Sequence, residues 1–346
     1  MYKHLIRPLL FLFDPEKIHH FVSFMLRLAC SIPGIPWLLK RIYMVNDPRL
    51  EREVFGIRFP NPVGIAAGFD KEAKLYNQLA CFGFSHVEVG TVTPKGQAGN
   101  PKPRLFRLPA DQALINRMGF NNAGLEVFAE NFRRNKPRLI IGGNIGKNTL
   151  TPNEQAIDDY CRCFNDLFEL VDYFVVNVSC PNIANLAKLQ DKDELLALLN
   201  AVQQINNSKP KRKPVLLKIA PDLNQNQLDE VIEIVFETGI DGLIATNTST
   251  LRENLTTPST EVEEKGNGGL SGKPLRDKST MVISYLHKKS EGKIPIIGVG
   301  GIMEPEDALE KLRAGASLVQ VYTGFVYSGP AIARRINKAI LRSGNQ

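Results

Sequence analysis

The residues of this chain best suited to chemistry are lysines, amides and hydroxyls placed just after short apolar runs. The plainest case is Tyr173-Phe-Val-Val-Asn-Val-Ser-Cys-Pro-Asn182. It starts as a continuous apolar stretch, the mark of a strand buried on both faces. It ends in Asn177, Ser179, Cys180, Pro181 and Asn182. Seven more apolar runs end comparably, in Ala67-Gly68-Phe69-Asp70-Lys71, Gly90-Thr91, Asn144 to Asn148, Lys218, Thr246-Asn247-Thr248, Gly298 to Gly301, and Tyr322-Thr323-Gly324. A buried unpaired amide or ammonium costs roughly several kcal/mol, so a convergent set of them implies a large polar ligand. A metal is not expected. None of His4, His19, His20, His86 and His287 follows such a run, and Asp70 is a lone carboxylate, whereas zinc or two-metal hydrolases need several ligands. No histidine lies near Ser179 in sequence, so a nucleophilic triad is unsupported.

The elements that must position these residues alternate. Strands are expected over 62–67, 87–91, 139–145, 173–179, 215–220, 242–247, 294–299 and 318–323. Helices are expected over 71–82, 125–134, 153–170, 192–206, 225–238, 278–290 and 305–314. Alternation of strand and helix means a parallel sheet. Eight units in about 280 residues fit a (β/α)8 TIM barrel better than an open doubly wound sheet, whose GxGxxG turn is missing after the first strand. A barrel carries its chemistry at the C-terminal strand ends, with phosphate held after strands seven and eight. Gly300-Gly301 and Gly324 occupy those positions. Together with Lys218 in the barrel mouth they point to a phosphorylated cofactor, and FMN fits: a ring for the amides and lysines, a phosphate for the glycines.

Residues 1–45 are of a different kind. Asp14 can cap a helix with Pro15 in its first turn, and Ile18, Phe21, Val22, Met25, Leu28 and Ala29 form one stripe along it. Pro33-Gly34 breaks the helix before a shorter successor over 35–43. Such a hairpin can pack on the barrel, or it can lie in a bilayer interface, where Trp37 and Tyr43 would suit the headgroup level. Residues 1–50 hold seven Lys and Arg against three Asp and Glu, a surplus that suits an anionic membrane surface. We therefore divide the chain into 1–45, an amphipathic helical unit, and 46–346, a barrel domain opened by an edge hairpin over 55–60. No apolar run reaches the roughly 20 residues of a membrane span, and the N-terminus lacks the shape of a signal peptide. The five cysteines form no CxxC pair, which favours a reducing compartment. A nucleic-acid partner is not expected, because no basic stripe with stacking aromatics is present.

Ordered blocks along the chain carry a resemblance. They include Ala66-Ala-Gly-Phe-Asp-Lys71, Val89-Gly-Thr-Val-Thr-Pro94, Lys102-Pro-Arg-Leu-Phe-Arg-Leu108, Ile115-Asn-Arg-Met-Gly-Phe-Asn-Asn122, Leu217-Lys-Ile-Ala-Pro-Asp222, Gly268-Gly-Leu-Ser-Gly-Lys-Pro-Leu275 and Gly315-Ala-Ser-Leu-Val-Gln-Val-Tyr-Thr-Gly324. From about Tyr2 to Pro330 the chain resembles the dihydroorotate dehydrogenases, and among them the membrane-associated, quinone-using class. The resemblance implies oxidation of dihydroorotate to orotate in pyrimidine synthesis, with a base taking the C5 proton while hydride leaves C6 for FMN. It implies that Cys180 is the base. FMN would be held by Ala67, Gly68, Lys71, Thr91, Asn144, Asn177, Lys218, Thr246, Gly272, Gly301, Tyr322 and Thr323. The substrate would be held by Lys71, Asn116, Arg117, Met118, Gly119, Phe120, Asn177, Asn182, Asn247 and Thr248. His19 and Arg107 would line a quinone tunnel between the N-terminal helices and the barrel. The quinone class usually carries serine at the base position, and cysteine is typical of the soluble classes that use fumarate or NAD. The alternative expectation is therefore a soluble-type FMN oxidoreductase of dihydroorotate or a dihydropyrimidine. A non-catalytic, membrane-docked barrel that binds a phosphate ligand is a third reading. The resemblance further implies a monomer held peripherally on the cytoplasmic face of the cell membrane.

Overall fold

Every one of the eight apolar runs becomes a strand of a single closed parallel barrel. In chain order these are β1 (Val63–Asp70), β2 (His86–Val92), β3 (Ile140–Ile145), β4 (Tyr173–Asn177), β5 (Val215–Ile219), β6 (Gly242–Ala245), β7 (Ile296–Val299) and β8 (Leu318–Val321). Each strand pairs with the next, and β8 pairs with β1. The computed structural model describes residues 2–179 and 191–344. Cys180, Asn182 and the loop that follows lie outside the described residues.

Helices cover the outside of the barrel. Leu125–Arg134 and Gln225–Thr238 match the expected bounds to the residue. The expected helix over 71–82 is shorter, Tyr76–Ala80. The buried Asp70 carboxylate accepts from the amides of Lys74, Leu75 and Tyr76 at 2.7–2.9 Å, which holds residues 71–75 in a turn. A last helix, Ile332–Ser343, buries Ile332, Ile336 and Ile340 against the barrel. It lies beyond the eight strand–helix units expected from the sequence, although its apolar residues recur at helical spacing.

The barrel interior is closed at its N-terminal end by a hairpin. Strands Arg52–Val54 and Ile57–Phe59 pair antiparallel. Val54, Phe55 and Phe59 pack with Tyr173, Leu216, Ile244, Ile297 and Leu318 inside the barrel. At the opposite end, segments between β2 and β3 form a cover that sequence patterning did not reveal. Ala113–Asn116 pairs on one side with Leu105–Leu108 and on the other with Gly269–Gly272, and Lys95–Gln97 pairs with Asn122–Gly124. Strands of three or four residues leave too short a pattern to read.

The N-terminal unit consists of a π-helical turn (Tyr2–Ile6), a short helix (Arg7–Phe11), α1 (Pro15–Ser31) and α2 (Ile35–Tyr43). Asp14 caps α1 through the amides of Glu16 and Lys17. The unit is clasped to the barrel cover by Glu16, which is buried and takes both Nε and Nη2 of Arg104, at 3.2 and 2.8 Å. Arg104 in turn holds the Ala98 and Asn100 carbonyls. Burial would raise the Glu16 carboxyl, but Arg104 and Lys102 outweigh it and hold the group below its usual range. Outward-facing apolar side chains concentrate here: Leu12, Phe21, Leu28 and Trp37 are 79%, 57%, 51% and 62% exposed. No single described helix is long and apolar enough to cross a membrane, and α1 and α2 are bent 110° from one another.

Phe59 is the largest plug residue with no exposure at all. Phe59→Ala is expected to lower unfolding stability by about 3–5 kcal/mol. A denaturant melt followed by circular dichroism checks this, and a loss below about 1 kcal/mol would show that the barrel floor closes without the ring.

Candidate active site

The C-terminal ends of the strands meet around a cavity with about 1050 Å³ of empty space, part of it open to solvent. β1 and the turn after it bring Ala66, Ala67, Gly68 and Lys71. β2 brings Thr91, β4 Asn177 and β5 Lys218. Beyond β6 stand Thr246, Asn247 and Thr248, at β7 Val299, Gly300 and Gly301, and at β8 Gln320, Tyr322 and Thr323. The cover completes the wall with Asn116, Met118, Gly119, Phe120, Asn121, Ser271 and Gly272. Two expected residues are placed elsewhere. Asn144 lies one layer deeper and reaches the wall through Thr91 and Asn177. Arg117 is turned away: its guanidinium donates to the carbonyls of Pro103, Lys265 and Asn267 and lies over the Phe106 ring.

The polar side chains of the cavity floor form one network. Asn177 Nδ2 donates to Thr91 Oγ1 at 3.1 Å and to Asn144 Oδ1 at 3.2 Å. Asn247 Nδ2 donates to Asn177 Oδ1 at 3.3 Å and Ser179 Oγ at 3.1 Å. Ser179 Oγ donates to the Lys218 carbonyl at 2.7 Å. Lys218 Nζ and Asn144 Nδ2 both donate to Glu88 Oε1, at 3.0 and 2.6 Å. Buried Thr246 Oγ1 and Gln320 Oε1 have no partner among the described residues. Buried polar atoms are nearly always satisfied, so these two mark where a polar ligand edge fits. Asp70 is not available for acid–base work on such a ligand. Burial raises its pKa to about 6 against three backbone amides, and those amides fix it in the turn it caps.

Across the cavity the wall is glycine. Gly301 has φ +70°, and a Cβ there would sit 2.3 Å from Arg276 Cα, at the start of the helix Arg276–Lys289. A Cβ on Gly324 would sit 1.9 Å from the Ile302 carbonyl oxygen. Only glycine allows this approach, and the first turn of the helix Thr323–Ser328 leaves amides with no intrahelical acceptor beside it. A buried ammonium supports the turn from behind. Lys311 Nζ donates to the Arg276 carbonyl and to the hydroxyls of Ser279 and Thr280 at 3.1–3.2 Å. Burial brings its pKa down to about 8, against Glu310 and Asp307.

A second, larger cavity with about 2180 Å³ of empty space lies between the N-terminal unit and the barrel. Its wall is mostly apolar, with Ile18, Val22, Leu26, Phe69, Phe82, Leu105 and Phe325 among its residues. His19 and Arg107 both stand on it. His19 packs edge-on against Phe69. Burial, then the charges of His20 and Lys71, push its pKa down to about 4, so its ring is neutral at neutral pH. Arg107 donates to the carbonyls of Phe11 and Phe13 and lies 4.4 Å from the Phe11 ring centre. Gly68, Lys71, Met118, Asn121 and Tyr322 line both cavities.

Sequence reasoning missed Glu88, Asn121, Ser271, Gln320 and Lys311. Glu88 and Gln320 each interrupt an apolar strand run, His86-Val-Glu-Val and Leu318-Val-Gln-Val. A charged or amide residue at such a place was the available signal.

Fold and cavities together define a class: a parallel (β/α)8 barrel with a polar ligand site at its strand ends, joined to an apolar chamber under N-terminal helices. Comparison with known proteins is specific. The family model for dihydroorotate dehydrogenase matches residues 49–343, and the chain belongs to that family. A dihydroorotate dehydrogenase (quinone) of Christiangramia forsetii is 59% identical over 99% of this chain and 100% of its own length. One from Thermosynechococcus vestitus is 48% identical over 100% of this chain and 97% of its own length. Among solved structures, the dihydroorotate dehydrogenase of Eimeria tenella in complex with ferulenol superposes with a TM-score of 0.84. It is 38% identical, over 96% of this chain and 92% of that one.

Gly301→Ala places a Cβ against Arg276 at a left-handed backbone position. It is expected to weaken flavin binding about tenfold, measured by flavin fluorescence titration. An unchanged affinity would remove the glycine turn from the ligand site.

Proposed function

We propose that the chain oxidises dihydroorotate to orotate in pyrimidine biosynthesis and passes the electrons to a membrane quinone. The observation that carries this is the pairing of two cavities across one wall, a polar one at the strand ends and an apolar one under the N-terminal helices. The family membership and the quinone-type relatives support the same reading.

The polar cavity suits FMN. Ala67, Gly68, Lys71, Thr91, Asn177, Lys218 and Thr246, with Asn144 behind them, would hold its ring. Gly272, Gly301, Tyr322 and Thr323 would take the ribityl phosphate. Bound there, FMN supplies a two-electron acceptor for hydride. Orotate carries a carboxylate and amide-type edges, and the side-chain amides of Asn116, Asn177 and Asn247 offer both donors and acceptors to such edges. Lys71, Met118, Gly119, Phe120, Thr248 and Asn182 would complete the substrate site. Arg117 would shape the cover from outside it.

Cys180 follows Ser179 directly in the sequence, and we assign it the proton at substrate C5. An ordinary thiol titrates near pH 8.5, which suits a general base at neutral pH better than a hydroxyl. The cysteine is the one feature that favours the soluble-type alternative, which would use fumarate or NAD; the relatives do not favour it.

Residues 1–45 form the quinone and membrane unit in this reading, and 46–346 the barrel domain. Exposed Leu12, Phe21, Leu28 and Trp37 would enter the bilayer interface on the cytoplasmic face, and Lys17, Arg27, Lys40 and Arg41 would meet anionic headgroups. His19 and Arg107 would line the quinone chamber. The protein would act as a monomer, without nucleic acid.

An acceptor panel of the full chain tests the reading, with dihydroorotate as donor and ubiquinone, menaquinone, fumarate or NAD as acceptor. Quinone turnover is expected, and it should be faster when the quinone is delivered in anionic rather than neutral vesicles. Turnover with fumarate or NAD alone would overturn the quinone assignment, and equal rates in both vesicle types the membrane assignment. For the base, Cys180→Ser is expected to keep FMN while slowing flavin reduction by dihydroorotate about tenfold or more near pH 7, with recovery as pH rises. A stopped-flow pH profile identical to the parent's would exclude Cys180 from the role.

A further inference from the structure

Glu88 is a carboxylate in the middle of β2 with no exposure to solvent. Taking a carboxylate and an ammonium out of water costs more than their attraction returns unless every remaining lone pair is satisfied. Here Oε1 is shared between Lys218 Nζ at 3.0 Å and Asn144 Nδ2 at 2.6 Å, while Oε2 is buried without a partner among the described residues. Lys218, by contrast, stands on the wall of the ligand cavity. Glu88 thus reaches the cavity through Lys218 on its wall, and more remotely through Asn144 behind that wall.

We propose that Glu88 is a positioning residue that sets how much positive charge Lys218 presents to the flavin ring, and so tunes the flavin's reduction potential. This rests on the FMN reading of the cavity. Two consequences follow from the geometry. The carboxylate pins the ammonium to the cavity floor, because a lysine side chain has four rotatable bonds and would otherwise sample the whole mouth. The carboxylate also offsets the cation. A lone ammonium in a low-dielectric cavity strongly favours extra negative charge on a neighbouring ring. The reduced ring would then be so stable that passing electrons on to the acceptor becomes unfavourable. With Glu88 at 3.0 Å the pair is close to neutral as a unit, and both half-reactions stay accessible.

The test is Glu88→Gln, which keeps the shape and one acceptor oxygen but removes the charge. The full-length holoprotein is titrated against a redox dye and the flavin spectrum is read. The expected result is a shift of about tenfold in the reduced-to-oxidised ratio toward the reduced form, about 30 mV for a two-electron couple. Steady-state quinone reduction should slow while flavin reduction by dihydroorotate does not. An unchanged potential in a variant that holds FMN as the parent does overturns the proposal and leaves the functional reading intact. A parent that takes up no FMN overturns that reading, and this proposal with it. Should the Gln variant fail to fold, Glu88→Asp draws the charge back from Lys218 and is expected to shift the ratio in the same direction by a smaller amount; no shift there is equally fatal.

Discussion

A parallel strand buried on both faces has no place for a polar side chain unless something else satisfies it. Eight such strands close on themselves here, with helices outside, side chains filling the centre and a hairpin plugging one end. Polarity is thereby pushed to the other end. The amides, hydroxyls and lysines at the strand termini are tolerable because they bond to one another and face a cavity. The few polar groups deeper in the barrel, Glu88 and Asn144 among them, hang from that same layer through hydrogen bonds.

The cover and the N-terminal unit depend on this arrangement in turn. Ala113–Asn116 lies across the mouth because Gly269–Gly272, after β6, offers it an edge, and Leu105–Leu108 pairs on its other side. α1 is held to the cover through the two-toothed contact of Glu16 with Arg104. The apolar chamber is therefore bounded by the same cover that shapes the polar one.

Much of this was legible in the sequence, for physical reasons. The eight strands announced themselves as apolar runs ending in polar residues, and two helices matched to the residue because their stripes were long and regular. Elements that escaped were short, or were decided by distant contacts. The helix after β1 begins late because Asp70 captures three amides, a competition that periodicity does not display. The cover strands are too brief to show alternation. Glu88 went unseen because a single acidic residue among valines still looks like a strand, and only closure of the barrel brings Lys218 to it. Arg117 sits inside the block Ile115 to Asn122, but its backbone position turns the guanidinium outward. Block resemblance locates a loop and does not aim its side chains.

The thin wall between the chambers has a pharmacological consequence. Gly68, Lys71, Met118, Asn121 and Tyr322 border both spaces, so a small molecule lodged under the N-terminal helices leaves the polar pocket geometrically open. Such a compound would depress the maximal velocity without competing against the pyrimidine. Its selectivity would be written in the side chains of α1 and the short helix before it, which line the apolar space and not the polar one.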